Sequence, residues 1–430
     1  MKKTNLDTFF HFSQYETNGK REVLAGVVGF FTIVYILIVN SLILSEAGIP
    51  INGAVIATII LSAVSCILIG LWANVPILVV PGMGVNALFA YTMVQGMGLS
   101  YQSALGAVFI SGIIFVIVAF TKFSKVISDS IPTSIKDAIS VGLGLFLLLI
   151  GLEKGGIITG GSTSLVKLGD LGDPAVLATV LTFLLAIALF IKGIPGNFMI
   201  TIILGSCIAF ILGTVDISHI HFSGLDTASY SELFFSLSFI EANRIEFWIS
   251  VFAMTMVLIF ENIGLVHGHV KSINRPEAYK RSLQATSVSV LLSGPIGSSP
   301  TVATVETAAG IASGGRTGLT TIVTGFLFLL SLLFIPVIKV IPDSAIAPIL
   351  IIIGMLMLEN IKKLDFNDFT ESIPALSIIT IIPFSYSIAD GMAFGFILYP
   401  FLKLVTGKAK EVSGPMYVSA VLFIVYFIIG

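Results

Sequence analysis

The amino-acid sequence predicts an all-α polytopic membrane protein with about fourteen spanning segments, because it is apolar, sparsely charged and contains long uncharged stretches. Of its 430 residues, 56% are hydrophobic and 11% are charged, whereas about a quarter of the residues of an average soluble domain are charged. Residues 47–121 form a run of 75 residues without a charged side chain or a histidine. At about 20 residues per crossing, that run alone is long enough for about three helices.

Apolar runs between polar or charged loops give the expected position of each segment. The first set is expected at 23–44, 52–71, 76–97, 102–120, 134–152, 175–192 and 197–213. The second set is expected at 247–267, 279–296, 300–313, 317–340, 344–360, 372–388 and 391–405, with a further apolar stretch at 416–430.

Seven segments in each half predict an inverted repeat of residues 23–213 and 247–430, joined by a loop at 214–246. A repeat with an odd number of crossings inserts in the opposite orientation, and its substrate site lies near the membrane midplane. The motif Ile-Pro-x-Ser precedes a helix at Ile131 and again at Ile341. Chance similarity between apolar helices is an alternative explanation for that motif alone.

The distribution of lysine and arginine predicts which loops face the cytoplasm. These residues cluster at Lys2, Lys3, Lys20 and Arg21; at Lys122, Lys125 and Lys136; at Lys271, Arg275, Lys280 and Arg281; and at Lys403, Lys408 and Lys410. Residues 1–22 are therefore expected to form a cytoplasmic N-terminus of a multi-pass plasma-membrane protein. The acid-rich loop 214–246, which includes Asp216 and Asp226, is expected on the outer face.

Two of the segments contain dense helix breaks in an apolar context. The first is Pro-Gly-Met-Gly, which starts at Pro81, and the second extends from Gly294 to Gly315 with two prolines and a cluster of Ser and Thr. Irregular backbone at membrane depth occurs where protein or a watery cavity satisfies the freed amides. Paired broken segments therefore indicate the binding site of a transporter. Simple kinking of helices by Pro and Gly is the alternative interpretation.

Two glutamates, Glu261 and Glu306, lie within these apolar regions. A carboxylate at such a depth costs at least about 2.5 kcal/mol unless it is protonated, paired or facing water. We therefore expect both to bind substrate and to take part in proton coupling. Each carboxylate can accept two hydrogen bonds from a planar ligand with several N–H groups. The alternative is that one of them only holds helices together.

Other polar residues give weaker indications. Asn86 can present its amide to a cavity or can satisfy backbone groups at the break. Asp390, followed by Gly391, is expected in a helix-connecting turn. His267 and His269 are expected to be solvated at the start of a basic loop. The sequence contains no metal-ligand cluster, no pairing of a nucleophile with a base and no phosphate-binding Gly-rich motif, so no cofactor, metal site or catalytic residue is expected.

Three motifs resemble the nucleobase/cation symporter-2 superfamily, in particular its branch of AzgA-like purine permeases for adenine, guanine and hypoxanthine. They are PGMGVNALFAYT at 81–92, ETAAGIASGGRTGLT at 306–320 and PFSYSIADGMAFGFILY at 383–399. The resemblance covers nearly the whole chain. It implies a core domain (about 23–120 plus 247–340), a gate domain (about 131–213 plus 344–430) and short strands in the broken segments 3 and 10.

The same resemblance implies a set of substrate-binding residues around acids in segments 8 and 10. The set is Tyr35, Val85, Asn86, Ala87, Glu261, Thr304, Val305 and Glu306. The implied partners are a purine nucleobase, the lipid bilayer and a second copy of the chain bound through the gate domain, with no nucleic acid. The proton is the implied coupling ion.

The resemblance implies import of guanine and hypoxanthine, and of adenine, by proton symport with an elevator movement of the core. Two departures from the branch pattern bear on the substrate. The branch has Asp-Thr-x-Gly-Thr where this chain has Glu261-Asn-Ile-Gly-Leu, and Asn-Pro where it has Val39-Asn-Ser. Xanthine or uracil symport is therefore one alternative. An anion exchanger or channel on the same fold is another, although it should have basic or neutral residues in place of the two acids.

Overall fold

The computed structural model describes residues 5–121, 130–161, 164, 166–215, 227–335 and 341–429. The topology signals at Lys2, Lys3, Lys122 and Lys125, and the loop acids Asp216 and Asp226, lie outside the described residues. The chain is mostly helical (76%). Within the described residues, eight helices are long and apolar enough to cross a membrane, and four shorter apolar helices accompany them. The predicted fold class is confirmed.

The first half contains nine α-helices and three strands among its described residues. They are α1 Asn5–Phe10, α2 Gly19–Ile33, α3 Ile36–Glu46, α4 Ile51–Ala73, β1 Val79–Pro81, α5 Met83–Ala87, α6 Tyr101–Phe120, α7 Thr133–Lys154, β2 Ile158–Gly160, β3 Val166–Leu168, α8 Pro174–Ile191 and α9 Asn197–Ile211. A π-helix at Leu88–Gly96 continues α5 directly.

The second half follows a short helix in the connecting loop, α10 Thr227–Leu233. Its described elements are α11 Ile245–Ser272, α12 Tyr279–Ile296, β4 Thr301–Ala303, α13 Thr307–Ala312, α14 Gly318–Leu330, α15 Asp343–Met357, α16 Phe369–Ser385, α17 Ile388–Val405 and α18 Gly414–Ile429. Short 3₁₀ turns cover Ile240–Asn243, Pro276–Ala278, Ser331–Phe334, Leu358–Lys363 and Ala409–Glu411.

The two broken segments meet through their strands, as the resemblance implied. β1 pairs antiparallel with β4, with Val79 opposite Ala303 and Pro81 opposite Thr301. The Gly82 N–H donates to the Pro300 carbonyl (3.1 Å) and the Thr304 N–H donates to the Leu78 carbonyl (3.1 Å). A Cβ on Gly82 would approach the Val302 Cγ2 to 2.5 Å, so this crossing requires glycine.

Buried hydroxyl and amide groups join the two halves around this strand pair. The Asn40 side chain donates to Thr58 Oγ1 (2.8 Å) and accepts from the Ser299 hydroxyl (2.8 Å). The Ser289 hydroxyl donates to Ser65 Oγ (2.5 Å). Because buried polar groups are costly unless hydrogen-bonded, these paired contacts fix how the first half packs on the second.

The transmembrane helices pack mainly within two groups. In one group, α14 packs on α2 and α4, α12 packs on α4 and α6, and α11 packs on α6. In the other, α15 packs on α7, α8 and α9, while α16 packs on α7 and α17. The assignment of such groups to a moving core domain and a gate domain stays a prediction.

Segment 1 forms one candidate span, Gly19–Glu46, which includes the expected position at 23–44. A two-residue turn at Val34 and Tyr35 separates α2 from α3, and both residues keep right-handed helical dihedral angles. The two helices therefore follow one another within a single segment.

Candidate functional site

Broken segment 3 places Asn86 in a fully enclosed position. α5 begins just after Gly82, and the helix widens into a π-helix two residues beyond Asn86; π-helical turns are frequent at functional sites. The Asn86 side chain is 0% exposed. Neither its Oδ1 nor its Nδ2 has a hydrogen-bond partner within the described part of the chain. One buried donor group and one buried acceptor are therefore unsatisfied.

Broken segment 10 passes from β4 to α13 through residues 304–306, which we call the link. Thr304, Val305 and Glu306 have no intervening helix or strand, and α13 begins at Thr307. The Thr307 hydroxyl oxygen accepts a hydrogen bond from the Leu78 N–H (3.0 Å). Hydrogen bonds thus join the two broken segments on both sides of the link.

Glu306 is held by a residue from segment 1. The Tyr35 hydroxyl donates to Glu306 Oε1 at 2.6 Å, whereas the buried Thr304 hydroxyl has no hydrogen-bond partner in the described chain. The Tyr35 ring packs edge-to-face on Phe198 of α9, with centroids 5.0 Å apart. Tyr35 and Glu306, both predicted from the sequence, are therefore brought together, and Phe198 orients the tyrosine ring.

Glu261 lies on α11, which packs against both β4 and α5. Its Oε2 atom is buried and has no hydrogen-bond partner among the residues described. The next residue, Asn262, accepts a hydrogen bond from the Ala303 N–H at its Oδ1 (3.0 Å). Helix α11 is therefore attached to the end of β4, three residues before Glu306.

The other predicted residues differ in accessibility. Val85 and Ala87 are completely buried, Thr304 is mostly buried, and Val305 is 60% exposed. Their contact with substrate stays a prediction.

The expectation that His269 is solvated is wrong. Helix α11 continues to Ser272, so both histidines are helical. His269 is buried, and its Nε2 lies 2.9 Å from the Thr304 carbonyl oxygen. His267 is exposed. The polar residues after the apolar run suggested a loop, but α11 continues through them, and His269 contacts a carbonyl group 35 residues along the chain.

Asp390 also differs from its expected place in a turn. It lies in the first turn of α17, and its Oδ1 accepts from the Tyr426 hydroxyl (2.8 Å). Sequence reasoning did not single out Asn262 or Thr307, which fix the link. Their proximity to Glu261 and Glu306 was the available signal. The described residues contain no group of three or more His, Cys, Asp or Glu side chains able to hold a metal ion.

A helical membrane fold with two crossed broken segments, and with polar groups left unpaired beside them, defines the class of secondary transporters. A family model described as "Permease family" matches residues 20–394. The nucleobase transporter PlAzg2 of Paenibacillus larvae is 49% identical over 88% of this chain and 76% of its own length. The guanine/hypoxanthine permease PbuG of Bacillus subtilis is 36% identical over 98% of this chain and 99% of its own. The chain therefore belongs to the nucleobase/cation symporter-2 permeases.

Solved structures support the same architecture. The transmembrane domain of the cyanobacterial bicarbonate transporter BicA aligns with a TM-score of 0.66 at 15% identity, covering 86% of this chain and 96% of that domain. A murine anion transporter of the solute carrier 26 family, in an inward-facing state, also aligns at 0.66 with 11% identity, covering 95% and 73%. At this identity the likeness concerns the fold alone.

Proposed function

We propose that this permease imports purine nucleobases, guanine and hypoxanthine foremost and adenine in addition, by proton symport. The relatives named above are a nucleobase transporter and a guanine/hypoxanthine permease. The adenine permease AdeP of Escherichia coli is 32% identical over 97% of this chain and 95% of its own length. The substrate lies between the two broken segments, with Glu306 and Glu261 as acceptors of its N–H groups.

The observation that carries this proposal is the set of unpaired polar atoms at the site. Asn86 offers both a donor and an acceptor, and Glu261 offers Oε2, without a partner in the described chain. An unsatisfied buried polar group costs about 1–3 kcal/mol. A purine supplies the missing partners, because it has N–H donors and ring nitrogen acceptors at the edge of one rigid plane.

Proton coupling is assigned to the two glutamates. A carboxyl group in an apolar site is stable when it is protonated or hydrogen-bonded, and unstable as an isolated anion. Glu306 already has the Tyr35 hydroxyl (2.6 Å), whereas Glu261 Oε2 has no such donor. Glu261 therefore exchanges the proton as substrate arrives and leaves, and Glu306 also takes part in the coupling through the substrate.

The transport movement proposed here is an elevator displacement of the core domain, which carries both broken segments, against the gate domain. The protein functions in the plasma membrane with a cytoplasmic N-terminus, as a homodimer joined through the gate domain. Support for this orientation comes from basic residues at and around the connection of α11 to α12, namely Lys271, Arg275, Lys280 and Arg281.

Uptake by proteoliposomes tests the proposal. Radiolabelled hypoxanthine, guanine, adenine, xanthine and uracil are offered with an inward proton gradient, and again after an ionophore has collapsed it. We expect gradient-driven accumulation of hypoxanthine and guanine that vanishes with the ionophore and in protein-free vesicles. Absence of uptake of every base contradicts the proposal.

Xanthine or uracil symport is a second candidate because Glu261 stands where the purine branch has aspartate. Competition distinguishes the two. Hypoxanthine uptake is measured with an excess of xanthine, uracil or guanine. If xanthine or uracil inhibits uptake more strongly than guanine, the second candidate is favoured. Chloride or sulfate flux that no nucleobase inhibits would indicate an anion transporter. The negative charge of two carboxylates at the site argues against that function.

A further inference from the structure

Two consecutive backbone groups at the end of β4 are bound by side chains of one helix. The Ala303 N–H donates to Asn262 Oδ1 (3.0 Å). The Thr304 carbonyl oxygen lies 2.9 Å from His269 Nε2. Both side chains belong to α11, and both are buried. We call this pair of contacts the clamp.

The spacing of the clamp residues explains how one helix reaches both groups. Asn262 and His269 are seven residues apart, which is about two helical turns, so they share one face of α11. The Asn262 Nδ2 also donates to the Leu258 carbonyl of its own helix (2.9 Å). That bond fixes the amide orientation, with Oδ1 directed at β4.

The clamp residues lie next to both glutamates along the chain. Glu261 directly precedes Asn262 on α11, and Glu306 follows Thr304 by two residues along the link. We propose that Asn262 and His269 are positioning residues, which hold the link so that Glu306 stays in register with Glu261 when substrate binds. This inference rests on the proposed function for the identity of the ligand.

The chemistry of the histidine contact separates positioning from proton transfer. A carbonyl oxygen only accepts hydrogen bonds, so Nε2 of His269 carries the hydrogen. The neutral imidazole with its proton on Nε2 and the imidazolium both make this bond. A glutamine amide can donate to the same carbonyl but cannot take up a proton at neutral pH. His269→Gln therefore keeps the positioning function and removes any role in proton relay.

The first experiment compares three variants by hypoxanthine uptake. We expect His269→Leu to raise KM about fivefold to tenfold, the effect of losing one hydrogen bond, with a smaller change in kcat. His269→Gln should restore KM to within about twofold and leave the pH profile of uptake unchanged. The matched control is His267→Leu, on the same helix but exposed, which should behave as wild type.

Three outcomes overturn the positioning function. One is an unchanged KM in His269→Leu. Another is a KM in His269→Gln as high as in His269→Leu. The third is a His269→Gln variant that transports hypoxanthine but no longer responds to the proton gradient, which assigns His269 to proton relay.

The second experiment does not depend on transport. Hydrogen–deuterium exchange of the peptide containing Ala303 reports directly on the clamp, because the Ala303 N–H is the donor to Asn262. We expect exchange at this amide to accelerate at least about tenfold in Asn262→Ala, with no change in peptides of α16. Unchanged exchange contradicts the clamp even if wild-type protein takes up no purine, so failure of the clamp and failure of the proposed function are distinguishable.

Discussion

Glu306 and Glu261 both lie within apolar regions of the sequence, but their environments in the structure differ. Glu306 lies in the link between a strand and a short helix, and it accepts a hydrogen bond from Tyr35 at 2.6 Å. Glu261 lies in the middle of the long helix α11, and its Oε2 has no partner in the described chain. One carboxyl group has a protein donor at one of its oxygens, whereas the other has a buried oxygen without a partner in the described chain.

From this difference we infer separate tasks for the two acids. A carboxylate whose position is fixed by protein hydrogen bonds is preorganised, so binding a ligand costs little reordering. A buried oxygen without a partner needs a ligand or a proton. We therefore propose that Glu306 anchors the nucleobase and that the protonation of Glu261 accompanies arrival and departure of the ligand.

The largest effect is expected for Glu306→Gln. The amide carries no charge, and an NH2 donor replaces one of the two acceptor oxygens of the carboxylate. Each bond to a charged group contributes about 1.5–3 kcal/mol, so affinity should fall at least about 100-fold. Equilibrium binding of hypoxanthine to purified protein measures this. Gradient-driven uptake near the wild-type rate by this variant would remove Glu306 from the site.

Glu261→Gln is expected to have the second largest effect and a different character. The neutral amide cannot exchange a proton, so accumulation against a gradient should disappear while hypoxanthine affinity falls only about tenfold. Uptake with and without a proton gradient, together with exchange of internal for external hypoxanthine, separates coupling from binding. Fully gradient-driven accumulation by this variant contradicts the assignment.

Tyr35→Phe tests the comparison directly, because it removes the hydroxyl group that donates to Glu306. In this variant Glu306, like Glu261, lacks that donor. The ring contact with Phe198 is kept. We expect hypoxanthine affinity to fall about fivefold to tenfold, a loss of about 1–1.4 kcal/mol, because the carboxyl group keeps its contacts with the ligand but is less well positioned. Phe198→Leu, which keeps the hydroxyl and loosens the ring, is the matched comparison and should have a smaller effect. An affinity in Tyr35→Phe equal to that of wild type shows that Tyr35 does not preorganise Glu306.

The smallest expected effect on binding is that of Asn86→Leu, which nevertheless has a distinctive signature. Replacement of an unpartnered buried amide by an apolar group of the same shape is neutral or stabilising. We expect an unchanged or higher melting temperature in the absence of ligand, together with affinity about threefold lower. A marked loss of melting temperature would mean that the amide has a structural partner, and would exclude its role in recognition.

The sequence was sufficient to predict the fold class, the broken segments and the candidate acids. Apolar runs and the paired Pro and Gly breaks are local signals, and the crossing strands followed from the family resemblance. The hydrogen bond of Tyr35 to Glu306 and its ring contact with Phe198 were not predictable from the local sequence, because both partners lie far along the chain.

The same limit explains the error at His269. A histidine just after an apolar run looks like a loop residue, since no local feature indicates a buried acceptor. The acceptor is the Thr304 carbonyl, which the fold brings to within 2.9 Å. Asn262 was overlooked for a similar reason, because the amide does not stand out beside the more unusual Glu261.

The most direct test of the central claim is a thermal-shift panel of nucleobases on the purified protein, since a ligand that binds the folded state raises its apparent stability. We predict that hypoxanthine and guanine raise the melting temperature of the wild type in a concentration-dependent manner and leave that of Glu306→Gln unchanged. An equal rise in both proteins, or no rise with any nucleobase, would contradict the account.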